Sequence, residues 1–157
     1  MPHEYECVIR RHSTASPAVL FSIVSDGANW SDWASPLISY SAWDSLGPAG
    51  DGGVGAIRAV GAKGRQTREM TTVHEPGIRH GYTSLADGPI RNYQADVTLT
   101  EDADGTLVTW RGGYETRSRT IGVAYWLVVR FVLGTLSRKL VKEAERREPC
   151  RTRPVED

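Results

Sequence analysis

Hydrophobic and polar residues alternate along most of the chain between residues 5 and 115, a pattern typical of strands with one buried face. In the clearest segment, 93–100, one face carries only apolar side chains: Tyr93, Ala95, Val97 and Leu99. Shorter or weaker runs predict further strands at 5–12, 37–44, 56–60, 66–75, 78–85 and 106–115. The turns between these runs are rich in Gly, Pro and Asp, which favours hairpins. We therefore expect an antiparallel sheet of six or seven strands.

Two short helices are predicted between the first and second strands. Ser16 is a suitable N-cap and Pro17 suits the first helical position, so a helix begins there. A second helix at 28–34 carries Trp30 and Trp33. Both lie before the long run of strands, so they are expected to pack beside the sheet rather than between its strands.

A long helix is predicted at 120–147. Its apolar residues recur at helical spacing, and we expect the following stripe to face the core: Ile121, Tyr125, Val128, Val132, Leu136 and Leu140. The apolar stretch 121–136 has only 16 residues and contains Arg130. Because a membrane span needs about 20 apolar residues, a buried core helix is the preferred interpretation and no membrane span is expected.

Helices segregated from a run of strands predict an α+β fold. With 157 residues the chain has the size of one domain, expected at 1–148 with a flexible tail at 149–157. The 19 Lys and Arg residues balance the 19 Asp and Glu residues, which argues against a general nucleic-acid or anionic-membrane binder. Two cysteines, Cys7 and Cys150, are too few for a disulfide framework, and no leader is apparent, so a cytoplasmic location is expected.

Five features carry a resemblance to a known superfamily. They are SPAVLFSIVSDGANWSDWASP at Ser16–Pro36, GVGAIRAV at Gly53–Val60, REMTTVHEPGIRHGYTS at Arg68–Ser84, DADGTLVTW at Asp102–Trp110 and the long C-terminal helix. With them the chain resembles the SRPBCC or START-like helix-grip superfamily, which includes START domains, birch-pollen-allergen-like proteins and polyketide cyclase/dehydrase-like proteins. The resemblance implies a curved sheet wrapped round the last helix, enclosing a cavity for an apolar or aromatic ligand.

Nucleotide and metal chemistry find little support in the sequence. Residues 50–55 match G-x-G-x-x-G, but a β-like run follows where a phosphate site needs a helix N-terminus. We therefore expect an inter-strand loop, which could lie over the cavity mouth. His74 and His80 flank a turn and could approach each other, but no third ligand has a typical spacing. No metal and no cofactor are expected.

Three polar residues are the candidates for acid/base or polar contacts inside the sheet. His80 shares a strand phase with Tyr82, so both side chains should point the same way. Glu69 is a candidate acid/base with His80 if it points inward, in phase with Thr71 and Val73. An Arg58–Glu69 pair across one hairpin is possible; a surface ion pair is the favoured interpretation, and a buried pair that anchors a carbonyl or carboxylate is the alternative.

Aromatic residues give the clearest indication of a binding site. Five Trp and six Tyr against two Phe suit a cavity that is apolar yet offers hydrogen bonds. Candidate ligand-binding residues are Arg58, Tyr82, Tyr93, Trp110, Tyr114, Tyr125 and Trp126.

Three functions remain open at this stage. The preferred one is binding of a small apolar or aromatic, lipid- or polyketide-like molecule. The first alternative is a polyketide cyclase or dehydratase that uses His80 or Glu69 as acid/base and Tyr82 or Tyr93 to polarise a carbonyl. The second is a protein-interaction module with a vestigial cavity. A homodimer is possible, and no nucleic-acid partner is expected.

Overall fold

The computed structural model describes residues 1–149 and contains seven strands and three helices. The strands are β1 (His3–Ser13), β2 (Tyr40–Ser45), β3 (Ile57–Ala62), β4 (Arg65–Glu75), β5 (Arg79–Ser84), β6 (Arg91–Asp102) and β7 (Gly105–Thr116). The helices are α1 (Pro17–Val24), α2 (Trp30–Ala34) and α3 (Arg119–Arg147). Each predicted element is present. Apart from Pro149, the predicted tail, with Cys150, lies outside the described residues.

The seven strands form one antiparallel, curved sheet in the order β1-β7-β6-β5-β4-β3-β2. Each strand pairs with its neighbour in sequence, except that β1 pairs with β7. The helix α3 packs on β1 and β7, and α1 and α2 pack against α3. This arrangement confirms the predicted α+β helix-grip fold.

Side chains alternate along the strands as the sequence predicts. On β6, Ala95, Val97 and Leu99 are buried, and on β7 Val108 and Trp110 are buried. A one-residue error in strand phase would have turned these side chains to solvent. The inward face of β6 and β7 is therefore confirmed.

The buried face of α3 differs from the predicted stripe. Leu136 and Leu140 are buried as expected, but Val128 is 55% exposed, and the face is completed by other residues: Gly122, Val129, Leu133, Ser137 and Ala144. Apolar residues occur in adjacent pairs at 128–129 and 132–133. Either residue of each pair could face the sheet, so the helix could turn by one residue about its axis and still bury an apolar stripe. Periodicity therefore could not decide which face the sheet covers.

One consequence is a partly exposed apolar helix. By length and composition alone α3 could cross a membrane, yet only 28% of its most apolar window is buried in the fold. α3 is thus the core helix that the sequence predicts, but the apolar side chains of its first half are only partly covered. Its C-terminal half is anchored, because Leu133, Leu136 and Leu140 are buried.

Capping residues fix the starts of the helices. Ser16 caps α1 by accepting from the Val19 N–H at 3.4 Å, as predicted. Its hydroxyl also donates to Glu148 at 2.7 Å, which joins the start of α1 to the end of α3. Ser118 caps α3 by accepting from the Ile121 N–H at 3.3 Å.

Candidate functional site

Arg58 and Glu69 form a buried ion pair between β3 and β4. The two residues are directly opposite in the strand register, and both Nε and Nη2 of Arg58 donate to Glu69 Oε2, at 3.0 and 2.7 Å. Their side chains are 4% and 13% exposed. The pair is therefore confirmed, but the favoured surface location is wrong: both positions face the concave side of the sheet, which α1 and α2 help to cover.

Aromatic rings enclose the Arg58 guanidinium. The Arg58 Cζ atom lies 3.7 Å from the centroid of the Trp30 ring and 4.7 Å from that of Tyr82. Trp30 in turn contacts Trp33 and Trp110, with ring centroids 5.0 and 5.8 Å away. Cation–π contacts of this kind stabilise a desolvated guanidinium. We call Arg58, Glu69, Trp30, Tyr82 and Trp110 the Arg58 cluster.

Burial is the main reason why the two phenols near this cluster, Tyr82 and Tyr93, stay neutral. Burial raises the pKa of Tyr82 well above its usual value, and the Glu69 carboxylate raises it further, while Arg58 opposes both. The pKa of Tyr93 is also raised, first by burial and then by Tyr82 and Glu69. At neutral pH both hydroxyls therefore carry their protons and can donate hydrogen bonds.

His80 lies beside the cluster as a neutral imidazole. It is buried on β5 with Tyr82, which confirms the predicted strand phase. Its pKa is lowered to about 3, first by burial and then by the positive charge of Arg58 and by His74. An imidazole held neutral in this way does not supply a proton near neutral pH.

His74 joins His80 because β4 contains a bulge. The register shifts between Thr71 and Val73, so His74, rather than Val73, lies opposite His80 and on the inner face. The two rings lie 6.4 Å apart, and both contact Phe21 of α1. Among residues 1–149 no group of three metal-ligating side chains converges.

A pocket opens between α3 and the loop that joins β5 to β6. It has a volume of about 340 Å³ and we call it the Tyr93 pocket. Its lining is mostly apolar: α3 contributes Tyr125, Val128, Val129 and Val132, and the sheet contributes Glu69 and Tyr93 among others. A larger depression of about 570 Å³ crosses β1, β7 and β6, but charged and polar side chains line most of it.

Several buried polar atoms around this region have no hydrogen-bond partner. They are Arg58 Nη1, Trp33 Nε1 and the Nδ1 atoms of His74 and His80. A buried polar group without a partner costs about 1–3 kcal/mol, so native proteins rarely leave several together. The concentration of such atoms next to the Arg58 cluster is typical of a site that receives polar atoms from a ligand or from water.

The remaining predicted site residues lie apart from the Arg58 cluster. Tyr114 donates to the Gly122 carbonyl at 2.6 Å and stacks on Tyr5, which connects β7 to the start of α3. Tyr125 lines the Tyr93 pocket. Trp126 donates to the Glu6 carbonyl of β1 at 2.9 Å and is not in the pocket lining.

The glycine-rich loop at 50–55 is an inter-strand loop, as expected. Gly55 N–H donates to the Thr71 carbonyl at 2.9 Å, and a Cβ at Gly52 would meet the Trp43 ring at 2.5 Å. The loop is therefore held against β4 and Trp43. It does not line the Tyr93 pocket.

Four residues near the site were not among the predicted site residues: Phe21, Trp30, Trp33 and His74. The unusual number of tryptophans, two of them in one short helix, could have indicated Trp30 and Trp33. The approach of His74 to His80 was expected from the turn between them, but the place of His74 on the inner face could not be predicted, because a β-bulge leaves no mark in the alternation of side chains.

The sequence of residues 6–147 matches the family model described as polyketide cyclase/dehydrase and lipid transport. The chain belongs to this family. Its place in the START-like superfamily, expected from the resemblance, is thereby confirmed. No curated protein sequence matches the chain.

Solved structures with the fold of this family superpose well. A START superfamily protein from Mycobacterium smegmatis has a TM-score of 0.69 at 17% identity, covering 92% of this chain and 98% of its own. The di-domain ARO/CYC BexL of the BE-7585A biosynthetic pathway has a TM-score of 0.72 at 18% identity, covering 95% of this chain. The di-domain ARO/CYC StfQ of the steffimycin pathway gives 0.73 at 12% identity. This chain spans about half the length of the di-domain proteins, 51% and 53%.

Proposed function

We propose that this protein binds a small, neutral aromatic molecule that carries a carbonyl and a hydroxyl group. The observation that carries the proposal is that Glu69 lines an apolar pocket while paired with the buried Arg58, whose Nη1 has no hydrogen-bond partner. The family description, which joins polyketide cyclases with lipid transport, supports an apolar ligand of this kind.

The charge balance of the site favours a neutral ligand over an acid. Glu69 already compensates the charge of Arg58, and Glu69 also lines the Tyr93 pocket, so a ligand carboxylate would meet a carboxylate there. A ligand carbonyl could instead accept from Arg58 or Tyr93, and a ligand hydroxyl could donate to Glu69. The aromatic rings and valines around them would hold the apolar part of the ligand.

The size of the pocket favours a small ligand. A volume of about 340 Å³ is near the lower end of the range for small-molecule sites. Trp30, Trp33 and Trp110 are buried and packed together beside Arg58, and none of them lines the pocket. A long acyl chain would therefore need to leave part of its length outside.

A second candidate is a cyclase or dehydratase. It is supported by the two neutral phenols, Tyr82 and Tyr93, which are suited to polarise a substrate carbonyl. The proposed acid/base residues fit this role less well, because one Glu69 oxygen is occupied by two hydrogen bonds from Arg58, and His80 stays neutral. We therefore place binding before catalysis, and the interaction-module alternative after both.

Tryptophan fluorescence tests the proposal, since Trp30 contacts Arg58 directly. Three probes share one ring system: 4-hydroxy-2-acetonaphthone, 2-naphthoate and naphthalene. We expect the hydroxy ketone to bind tightest and 2-naphthoate weakest, because the carboxylate of 2-naphthoate would meet the Glu69 carboxylate. The double variant Arg58→Met/Glu69→Gln, which removes both charges together, should weaken binding of the hydroxy ketone about tenfold or more.

The matched control is Arg68→Met. Arg68 lies one position from Glu69 on β4 and forms an ion pair with Asp44, but both side chains are about half exposed. This variant should bind the hydroxy ketone as the unaltered protein does. Equal affinity of the double variant and the unaltered protein, or equal affinity for all three probes, would contradict the proposal.

A further inference from the structure

The first half of α3 presents an apolar face to solvent that the fold leaves uncovered. Four side chains are more than half exposed there: Val123 at 54%, Leu127 at 59%, Val128 at 55% and Phe131 at 66%. Val123, Leu127 and Phe131 follow one another at intervals of four residues, so they lie in one row along the helix. We call these four residues the α3 apolar face.

Cations surround this face although the chain as a whole is neutral. Residues 117–142 contain six basic residues and no Asp or Glu, whereas the full chain has 19 of each sign. Arg130 and Arg138 of α3 and Arg11 of β1 border one groove with Leu127 and Phe131. Arg11 is held there by its bonds to the Gly134 carbonyl at 3.2 Å and the Ser137 hydroxyl at 2.8 Å.

The α3 apolar face also adjoins the Tyr93 pocket. Val128 belongs to both, and Tyr125, Val129 and Val132 continue the pocket lining around the helix. Two acids line this pocket, Glu69 and Asp87, and Glu69 is paired with Arg58. A surface that covers the α3 apolar face would therefore also lie at one side of the pocket opening.

We propose that the α3 apolar face docks on an anionic lipid bilayer, with Leu127 and Phe131 in the headgroup region and Arg11, Arg130 and Arg138 against lipid phosphates. A helix with an exposed apolar row and flanking cations binds in the plane of such a surface. A symmetric second copy is disfavoured, because the same cations of both copies would face each other across the contact.

Docking in this orientation places the pocket opening beside the bilayer. A ligand could then pass between the pocket and the membrane, and this part of the inference rests on the proposed binding function. The docking itself does not depend on it.

Vesicle co-sedimentation tests the docking. We expect the protein to sediment with vesicles that contain phosphatidylglycerol and much less with vesicles of phosphatidylcholine alone, and added salt should release it. Leu127→Ser/Phe131→Ser should weaken the binding about tenfold or more. Arg130→Gln/Arg138→Gln should weaken it about thirtyfold, at roughly a fivefold factor for each charge near the surface. The control is Ile78→Ser, an equally exposed apolar residue in the turn between β4 and β5, which should change nothing.

Three results would overturn the docking. One is no sedimentation with either vesicle type. Another is that Ile78→Ser weakens vesicle binding as much as Leu127→Ser/Phe131→Ser does. The third is a dimer in solution, by light scattering, that Leu127→Ser/Phe131→Ser converts to a monomer, which would mean that a second copy covers the face.

The two proposals fail separately in these assays. Leu127 and Phe131 do not line the Tyr93 pocket, so their variant should keep the affinity for 4-hydroxy-2-acetonaphthone in solution. Arg58→Met/Glu69→Gln should keep vesicle binding, since both side chains lie inside the fold. Loss of hydroxy-ketone binding with vesicle binding retained would remove the proposed ligand and leave the docking intact.

Discussion

Acid should destabilise this protein through one histidine. His80 is buried, and its pKa is lowered from 6.5 to about 3, first by burial, then by Arg58 and His74. Between these two pH values the unfolded chain binds a proton at this position and the folded chain does not. Stability from His80 is therefore fully present above pH 6.5 and is lost as the pH falls towards 3.

The size of the effect follows from the shift. One pKa unit corresponds to about 1.4 kcal/mol. With the pKa lowered from 6.5 to about 3, the free energy of unfolding should fall by about 5 kcal/mol once the pH is below both values. At pH 5 the loss should be about 2 kcal/mol. Because a domain of this size is stable by about 5–15 kcal/mol, such a loss is readily measured.

The assay is urea unfolding followed by circular dichroism at pH 7, 6 and 5. His80→Leu and His80→Gln remove the titrating group, one without and one with a polar side chain. The free energy of unfolding of both variants should fall by about 2 kcal/mol less than that of the unaltered protein between pH 7 and pH 5. This difference does not depend on how stable each variant is at pH 7. Val108→Ala, a buried change on β7 with no titrating group, is the control and should leave the pH dependence unchanged.

Parallel stability curves for His80→Leu and the unaltered protein would refute this reasoning. They would mean that the folded state accepts the proton at His80 without cost, for instance because water reaches the unpartnered Nδ1. The same result would also reopen the acid/base role of His80, since its pKa would then lie near neutrality.

Three further variants test how α3 is attached to the sheet. Gly122→Ala should destabilise the fold by about 1–3 kcal/mol in urea unfolding, because a Cβ there would overlap the Tyr5 ring, and adding Tyr5→Ala should restore part of the loss. Tyr114→Phe should cost about 1–2 kcal/mol in the same assay, since the Gly122 carbonyl loses its donor; an unchanged midpoint would argue against that bond. Ser118→Ala removes the N-cap of α3 and should cost about 1 kcal/mol, whereas Ser118→Asp should cost little.

The fold could be predicted from the sequence because strand alternation and helix capping depend on residues that are close together in the chain. Alternation along β6 and β7 fixed the inner face, and Ser16 followed by Pro17 fixed the start of α1. The buried face of α3 could not be predicted in the same way, since the helix is apolar on more than one side and contact with β1 and β7 decides its rotation.

The site was predicted in part, for a related reason. The cross-strand pairing of Arg58 with Glu69 follows from a short hairpin, but its burial depends on helices packed over distant parts of the sheet. The preference for a surface pair was the usual expectation for such residues. It failed because Trp30, contributed by α2, covers the guanidinium.

The tryptophans of α2 also limit what the site can hold. Trp30 is buried between Trp33, Trp110 and the Arg58 guanidinium, so aromatic side chains fill this part of the concave side of the sheet. Arg58 contacts Trp30 and pairs with Glu69, which lines the Tyr93 pocket, so the ion pair connects the packed tryptophans to the pocket wall. In the proposed binding function a ligand would therefore meet the Glu69 side of the pair with its polar group, and Arg58 would set the polarity of that wall through Glu69.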